Sequence, residues 1–139
     1  MRRDVECGLH ERAAISRMIL RVVEAVHLSW FSENDEHHSE PMGRNLDAIF
    51  VGMLVVIGTS EGKPLTLSGI SKSLDMPHQT VARKLRHLME IGIVQRRGDR
   101  YEYVAERLDR PERRLAVLNA RKRVVRCALE LQKLSKMDR

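Results

Sequence analysis

Cysteine is scarce in this chain, which holds only Cys7 and Cys127, near opposite ends. Two thiols so far apart make no disulfide framework. They fit a reducing, cytoplasmic setting. Long apolar runs are missing too. The longest, Ala48 to Ile57, falls far short of the roughly 20 residues that cross a bilayer, so no membrane association is expected. The opening MRRDVECGLHER has no apolar stretch after its basic residues, so no secretory leader is expected. There is no glycine-rich phosphate loop, no Cys/His cluster at ligand spacing, and no nucleophile motif with a plausible base. The expectation is a protein that is not an enzyme and carries no cofactor. His37-His38, flanked by Asp35, Glu36 and Glu40, comes nearest to a metal set, but adjacent histidines in a polar loop read as solvated. Cys127, beside Arg123 and Arg126, has the cationic neighbours that favour a thiolate. It also falls in an apolar seam, where an inert core cysteine is the default.

What is present is positive charge, unevenly placed. The net charge is +6 over 139 residues, a length that suits one domain with a real core. Residues 1–60 carry 6 Lys/Arg against 9 Asp/Glu, and residues 61–139 carry 19 against 10. The second half is therefore the part suited to a polyanion.

Apolar spacing divides the chain. A long amphipathic helix is expected from Leu9 to Phe31, striped by Ile15, Met18, Ile19, Val22, Val26 and Trp30. Ser32 to Pro41, SENDEHHSEP, reads as an acidic loop. A second helix spans Asn45 to Gly58, with Leu46, Ile49, Phe50, Met53, Leu54 and Ile57 as its core face, broadened by Val51, Val55 and Val56. Gly52 leaves room for a close neighbour. The last helix starts near Asp109, where Asp109 and Glu112 resemble a capping box. Its seam, Val117, Ala120, Val124, Cys127, Leu131 and Leu134, has the three-and-four spacing of a coiled coil, widened by Leu115, Leu118, Val125 and Leu129. So much apolar surface on the terminal helices predicts a two-fold homodimer through Ile15, Ile19, Val22, Val117, Val124, Leu131 and Leu134.

The stretch between them is PLTLSGISKSLDMPHQTVARKLRHLMEIGIVQRRGDRYEYV. Leu65 to Leu67 suits a short strand, and Ser68 is positioned to cap a helix ending near Leu74. Asp75-Met76-Pro77 is a turn. From Pro77 to Ile91 a second helix turns Val81, Leu85, Leu88 and Met89 to one side, and Gln79, Thr80, Arg83, Arg86 and His87 to the other. Gly92 ends it. Ile93 to Val104 reads as a hairpin turned at Gly98-Asp99, with Arg96, Arg97 and Arg100 at the tip.

These 40 or so residues resemble a winged helix-turn-helix transcription regulator. With the long flanking helices the whole resembles the MarR family of bacterial regulators, which are dimers. The hairpin is shorter than is usual there and closer to that of IclR-type DNA-binding domains. The implied fold is mainly α with a small β-hairpin wing. Its parts are an N-terminal helix and acidic loop (1–43), a winged lobe (44–105) and a C-terminal dimerisation helix (106–139). The implied function is sequence-specific binding of double-stranded DNA by a homodimer, acting as a repressor, with a small-molecule effector as a further partner. A winged-helix protein-interaction adaptor without specific DNA binding is the alternative. Gln79, Thr80 and Arg83 are the expected readers of base edges, where Gln pairs with adenine and Arg with guanine. His78, Lys84, Arg86 and His87 are expected phosphate contacts or simply exposed. Arg97 and Arg100, then Arg96, are the expected contacts of the wing. Ser68 completes the DNA-facing set.

Overall fold

The computed structural model of the protein describes residues 2–31, 42–106 and 111–137. It is mainly helical with one small antiparallel sheet. The order is α1 (Arg2–Phe31), α2 (Met42–Ser60), β1 (Leu65–Thr66), α3 (Leu67–Leu74), α4 (His78–Glu90), β2 (Val94–Arg97), β3 (Arg100–Tyr103) and α5 (Pro111–Met137). The expected elements are all found, with α1 beginning seven residues before the expected start at Leu9. The Ser32–Pro41 loop and Asp109 of the capping box lie outside the described residues.

One core cluster joins α1, α2, α3, α4 and the sheet. Ile49, Val51, Val55, Ile70, Val81, Leu85, Leu88 and Ile93 are its fully buried side chains. The burial of α2 keeps most of the expected face, with Ile49 fully buried and Leu46, Met53 and Leu54 packed on the core, and corrects it at Phe50 and Ile57. Ala48, Ile49, Val51, Gly52 and Val55 point inward, whereas Phe50 is 42% exposed and Ile57 50% exposed. In a helix apolar nearly all round, periodicity cannot choose the inner side; here the side with the small residues is chosen, because α1 comes close there. The Trp30 ring lies on Gly52, and a Cβ built at residue 52 would stand 2.4 Å from it. By length and composition α2 matches a membrane span, yet this face is committed to the core.

The sheet has the order β1-β3-β2. Register pairs Leu65 with Tyr101 on one side of β3, and Val94 with Tyr103 and Arg97 with Arg100 on the other. Gly98 has φ +65°, while Asp99 keeps the ordinary sign, which is the φ pattern of a two-residue II′ turn. Thr59 ties α2 to the sheet: its hydroxyl donates to the Val55 carbonyl at 2.8 Å and accepts the Tyr103 N–H at 2.9 Å.

Helices α1 and α5 pair antiparallel. The Cys7 thiol donates to the Leu134 carbonyl and the Cys127 thiol to the Ala14 carbonyl, each at 3.6 Å, and Arg17 reaches Glu130 at 3.4 Å. The seam expected to meet a second subunit is thus divided. Cys127 is buried, and Ala120, Leu131 and Leu134 are half-buried on the side that meets α1. Val117 and Val124 are 64% and 48% exposed. The stripe of α1 is divided as well: Trp30 is buried in the lobe, Val22 is half-buried, and Ile15 and Ile19 are exposed.

Gly52→Ala forces a methyl into the Trp30 ring, and overpacking of this kind costs about 1–3 kcal/mol. The expected outcome is a lower urea midpoint at unchanged slope, with Trp30 emission shifted in the folded state. An unchanged midpoint would show that α1 yields without loss.

Candidate nucleic-acid interface

Two local devices set α4 at the surface. The first is the turn before it. Asp75 adopts the left-handed conformation, φ 52° and ψ 46°, at the end of α3, and its N–H donates to the Ser71 carbonyl. Aspartate tolerates this conformation better than most residues. The Met76 N–H donates to the same carbonyl at 3.1 Å, and the buried Ser71 hydroxyl closes the turn by donating to the Met76 carbonyl. Pro77 then caps α4 from just outside it, its carbonyl accepting the Val81 N–H at 3.1 Å. The second device is the end of α4. Gly92 has φ +78°, its N–H donates to the Met89 carbonyl, and the Ile93 N–H donates to the Leu88 carbonyl at 2.9 Å. This is a Schellman cap, and it delivers the chain straight into β2.

Burial of Val81, Leu85 and Leu88 fixes the rotation of α4. Gln79, Arg83 and Arg86 are exposed along its outer line, with Glu90 at the far end. His78 is exposed, and Thr80 and Lys84 are half-buried on the flanks. His87 departs from the expected set. Its ring stacks on buried Phe31 of α1, with centroids 5.7 Å apart and planes 17° apart. It sits half-buried on the flank of α4 that the end of α1 meets, beside the outward line and not on it.

Ser68 is also reassigned. Thr66 caps α3, its hydroxyl accepting the Gly69 N–H at 3.1 Å, and Ser68 is exposed one residue inside the helix. Thr66 and Ser68 are both capping types two positions apart. The sequence carried the signal without choosing between them.

The three hairpin arginines are exposed and differently held. Arg96 Nε donates to the Gly98 carbonyl at 2.7 Å, and its guanidinium lies 5.9 Å from the Tyr101 ring centre. Arg100 donates to the Pro64 carbonyl at 2.6 Å, binding the hairpin to the residue before β1. Arg97 meets Glu102 at 3.7 Å with its side chain 75% exposed, so it is the most available of the three. A surface pair of that geometry is worth at most about 1 kcal/mol.

Among the described residues no group of three or more His, Cys, Asp or Glu could hold a metal ion. His37 and His38 lie outside them. A line of ring contacts that no spacing announces runs from His27 to Phe31, at 5.4 Å and tilted by 32°, and on to His87 at the flank of α4. Its one legible sign was an aromatic pair, Trp30-Phe31, ending a helix. No protein-family model matches the chain, and no curated protein or solved structure matches it either.

Burial lowers the pKa of His27 below its ordinary 6.5, and its buried Nδ1 has no hydrogen-bond partner among the described residues. A depressed folded-state value means that the unfolded chain binds the proton first. Stability is therefore complete above about pH 6.5 and falls as the pH drops below that, down to the folded-state value. His27→Phe is expected to flatten this part of the stability profile, measured by urea unfolding between about pH 7.5 and 5. An unchanged slope would remove His27 as its source.

Proposed function

We propose that the chain is a sequence-specific, double-stranded DNA-binding transcriptional regulator of the winged helix-turn-helix type, acting as a homodimer. The observation that carries this reading is the outer line of α4: Gln79, Arg83 and Arg86 exposed over a buried apolar face, with no acidic residue before Glu90. A helix of this kind fits the major groove, where Gln and Arg have donor geometries matched to adenine and guanine edges. The β2–β3 hairpin serves as the wing, with Arg97 on phosphate. Arg96 and Arg100 reinforce it, and Ser68, His78, Thr80 and Lys84 supply further contacts around α4. His87 acts indirectly, through its stack on Phe31.

Pairing is supported by the apolar side chains that the single chain leaves uncovered: Ile15 and Ile19 of α1, and Val117, Leu118, Val124, Val125 and Leu129 of α5. A second copy of the same face buries them around a two-fold axis and spaces two α4 helices for a palindromic site. Repression then follows from occupancy of a promoter. An effector has a place to bind, a cleft of about 810 Å³ between α1, the lobe and α5, lined by Val26, Trp30, Val56, Tyr103, Val117 and Leu118. Its walls are largely apolar, as small-molecule sites are.

Selection of bound duplexes from a random pool tests the whole reading, with an enriched inverted repeat as the expected result. A pool that stays random after repeated rounds would favour a protein-binding adaptor. On the selected site, Arg83→Ala is expected to lose about 1–3 kcal/mol and to relax preference at one position per half-site. Arg97→Ala is expected to weaken selected and random duplexes alike and to reduce the salt slope by about one. Equal losses on both duplexes for Arg83→Ala would remove it as a reader. Light scattering at micromolar concentration is expected to give twice the chain mass; a monomer would dismiss the pairing.

A further inference from the structure

The α1–α5 pair carries a second cleft, of about 780 Å³, on a side of α5 away from Val117 and Val124. Its α5 wall is one helix face: Leu115, Asn119, Lys122, Arg123 and Arg126 stand at i, i+4, i+7, i+8 and i+11. Arg21 and Leu28 face them from α1. The composition is unusual for a solvated flank. Four cations surround one carboxylate, Glu24, which already holds Arg21 at 3.1 Å. Among the described residues no carboxylate pairs with Lys122, Arg123 or Arg126. Beside them, Leu28 and Leu115 are 54% and 60% exposed inside the same cleft.

The geometry points to a binding site for a small organic phosphate, its dianionic head on Lys122, Arg123 and Arg126 and its apolar or aromatic body on Leu28 and Leu115. Guanidinium groups match phosphate oxygens two at a time, and a lysine adds a compact charge beside them. Three uncompensated cations suit a dianion better than a monoanion. Asn119 sits between the charged and apolar ends with both a donor and an acceptor. The volume lies in the range of small-molecule sites. This site is independent of what the lobe binds, since no residue of α4 or the hairpin lines it.

Calorimetric titration of the full chain at constant ionic strength tests it, at about pH 7.5, where a phosphate monoester is largely dianionic. Phenyl phosphate is expected to bind about tenfold or more tightly than inorganic phosphate or benzoate. The double variant Arg123→Gln/Arg126→Gln is expected to lose about tenfold or more of that affinity without a change in melting temperature. Leu115→Asn is expected to bring phenyl phosphate down to the level of inorganic phosphate. If the double variant melts early, Lys122→Gln alone must still weaken phenyl phosphate by about threefold. The inference is overturned if benzoate equals phenyl phosphate, if the double variant binds as well as the parent, or if phenyl phosphate gives no heat beyond matched sodium chloride. It is also overturned if the double variant lowers the salt slope of DNA binding while the parent ignores phenyl phosphate, because the cluster then belongs to the DNA contact. A null result for Arg83→Ala on DNA leaves this site untouched, so the two readings fail separately.

Discussion

Burial of Val81, Leu85 and Leu88 is the constraint on which the surface of the lobe depends. Each contributes about 1.5–3 kcal/mol by leaving water, far more than any exposed ion pair nearby. A helix held by three such anchors has one rotational setting, and that setting decides which polar residues face out. Gln79, Arg83 and Arg86 are outward because the core claims the opposite side, not because their charges seek solvent. The two ends of α4 then need no side-chain cap of their own. The Asp75 turn positions its start, and the Gly92 cap turns its end into β2.

The terminal helices join the lobe by burial of the same kind. Most of α1 runs along α5, but from Val23 on it also enters the core, ending with Trp30 on Gly52 and Phe31 on His87. Both contacts depend on what is absent opposite them: no Cβ at Gly52, and a flat ring at His87 in place of a flexible chain. The end of α1 thus touches α4 through one stacked ring pair, Phe31 on His87.

The fold was largely legible because its elements obey strong periodic signals. The three-and-four spacing of Val81, Leu85 and Leu88 gave the inner face of α4, and Gly92 and Gly98 marked its end and the hairpin turn. What was illegible was choice among equivalents. Every position of α2 from Ala48 to Gly58 is apolar, so the approach of Trp30 to Gly52 selects the inner side there and leaves Phe50 and Ile57 out. Thr66 and Ser68 compete for one cap. His87 lies on a flank that a lone helix would expose, and only the tertiary position of Phe31 covers it. The α5 seam is a true helix-packing pattern, but spacing does not say whether its partner belongs to the same chain. Cys127 and Leu134 meet α1, while Val117 and Val124 wait on the other side.

The arginines show why counting charges is a poor guide to a binding surface. Arg96 and Arg100 spend donors on the Gly98 and Pro64 carbonyls, so a phosphate would gain from them only the donors left over. Those bonds also hold the hairpin in shape, which lowers the entropy lost when it meets a partner. Arg97 is the reverse: a weak pair with Glu102, long reach and high exposure, so it exchanges partners at little cost. Arg83 and Arg86 are not held by any carboxylate among the described residues, and their setting comes from the helix beneath them. A division of labour follows from these environments. Side chains fixed by the backbone of α4 suit directional contacts, and the hairpin suits a grip on a uniform line of charge.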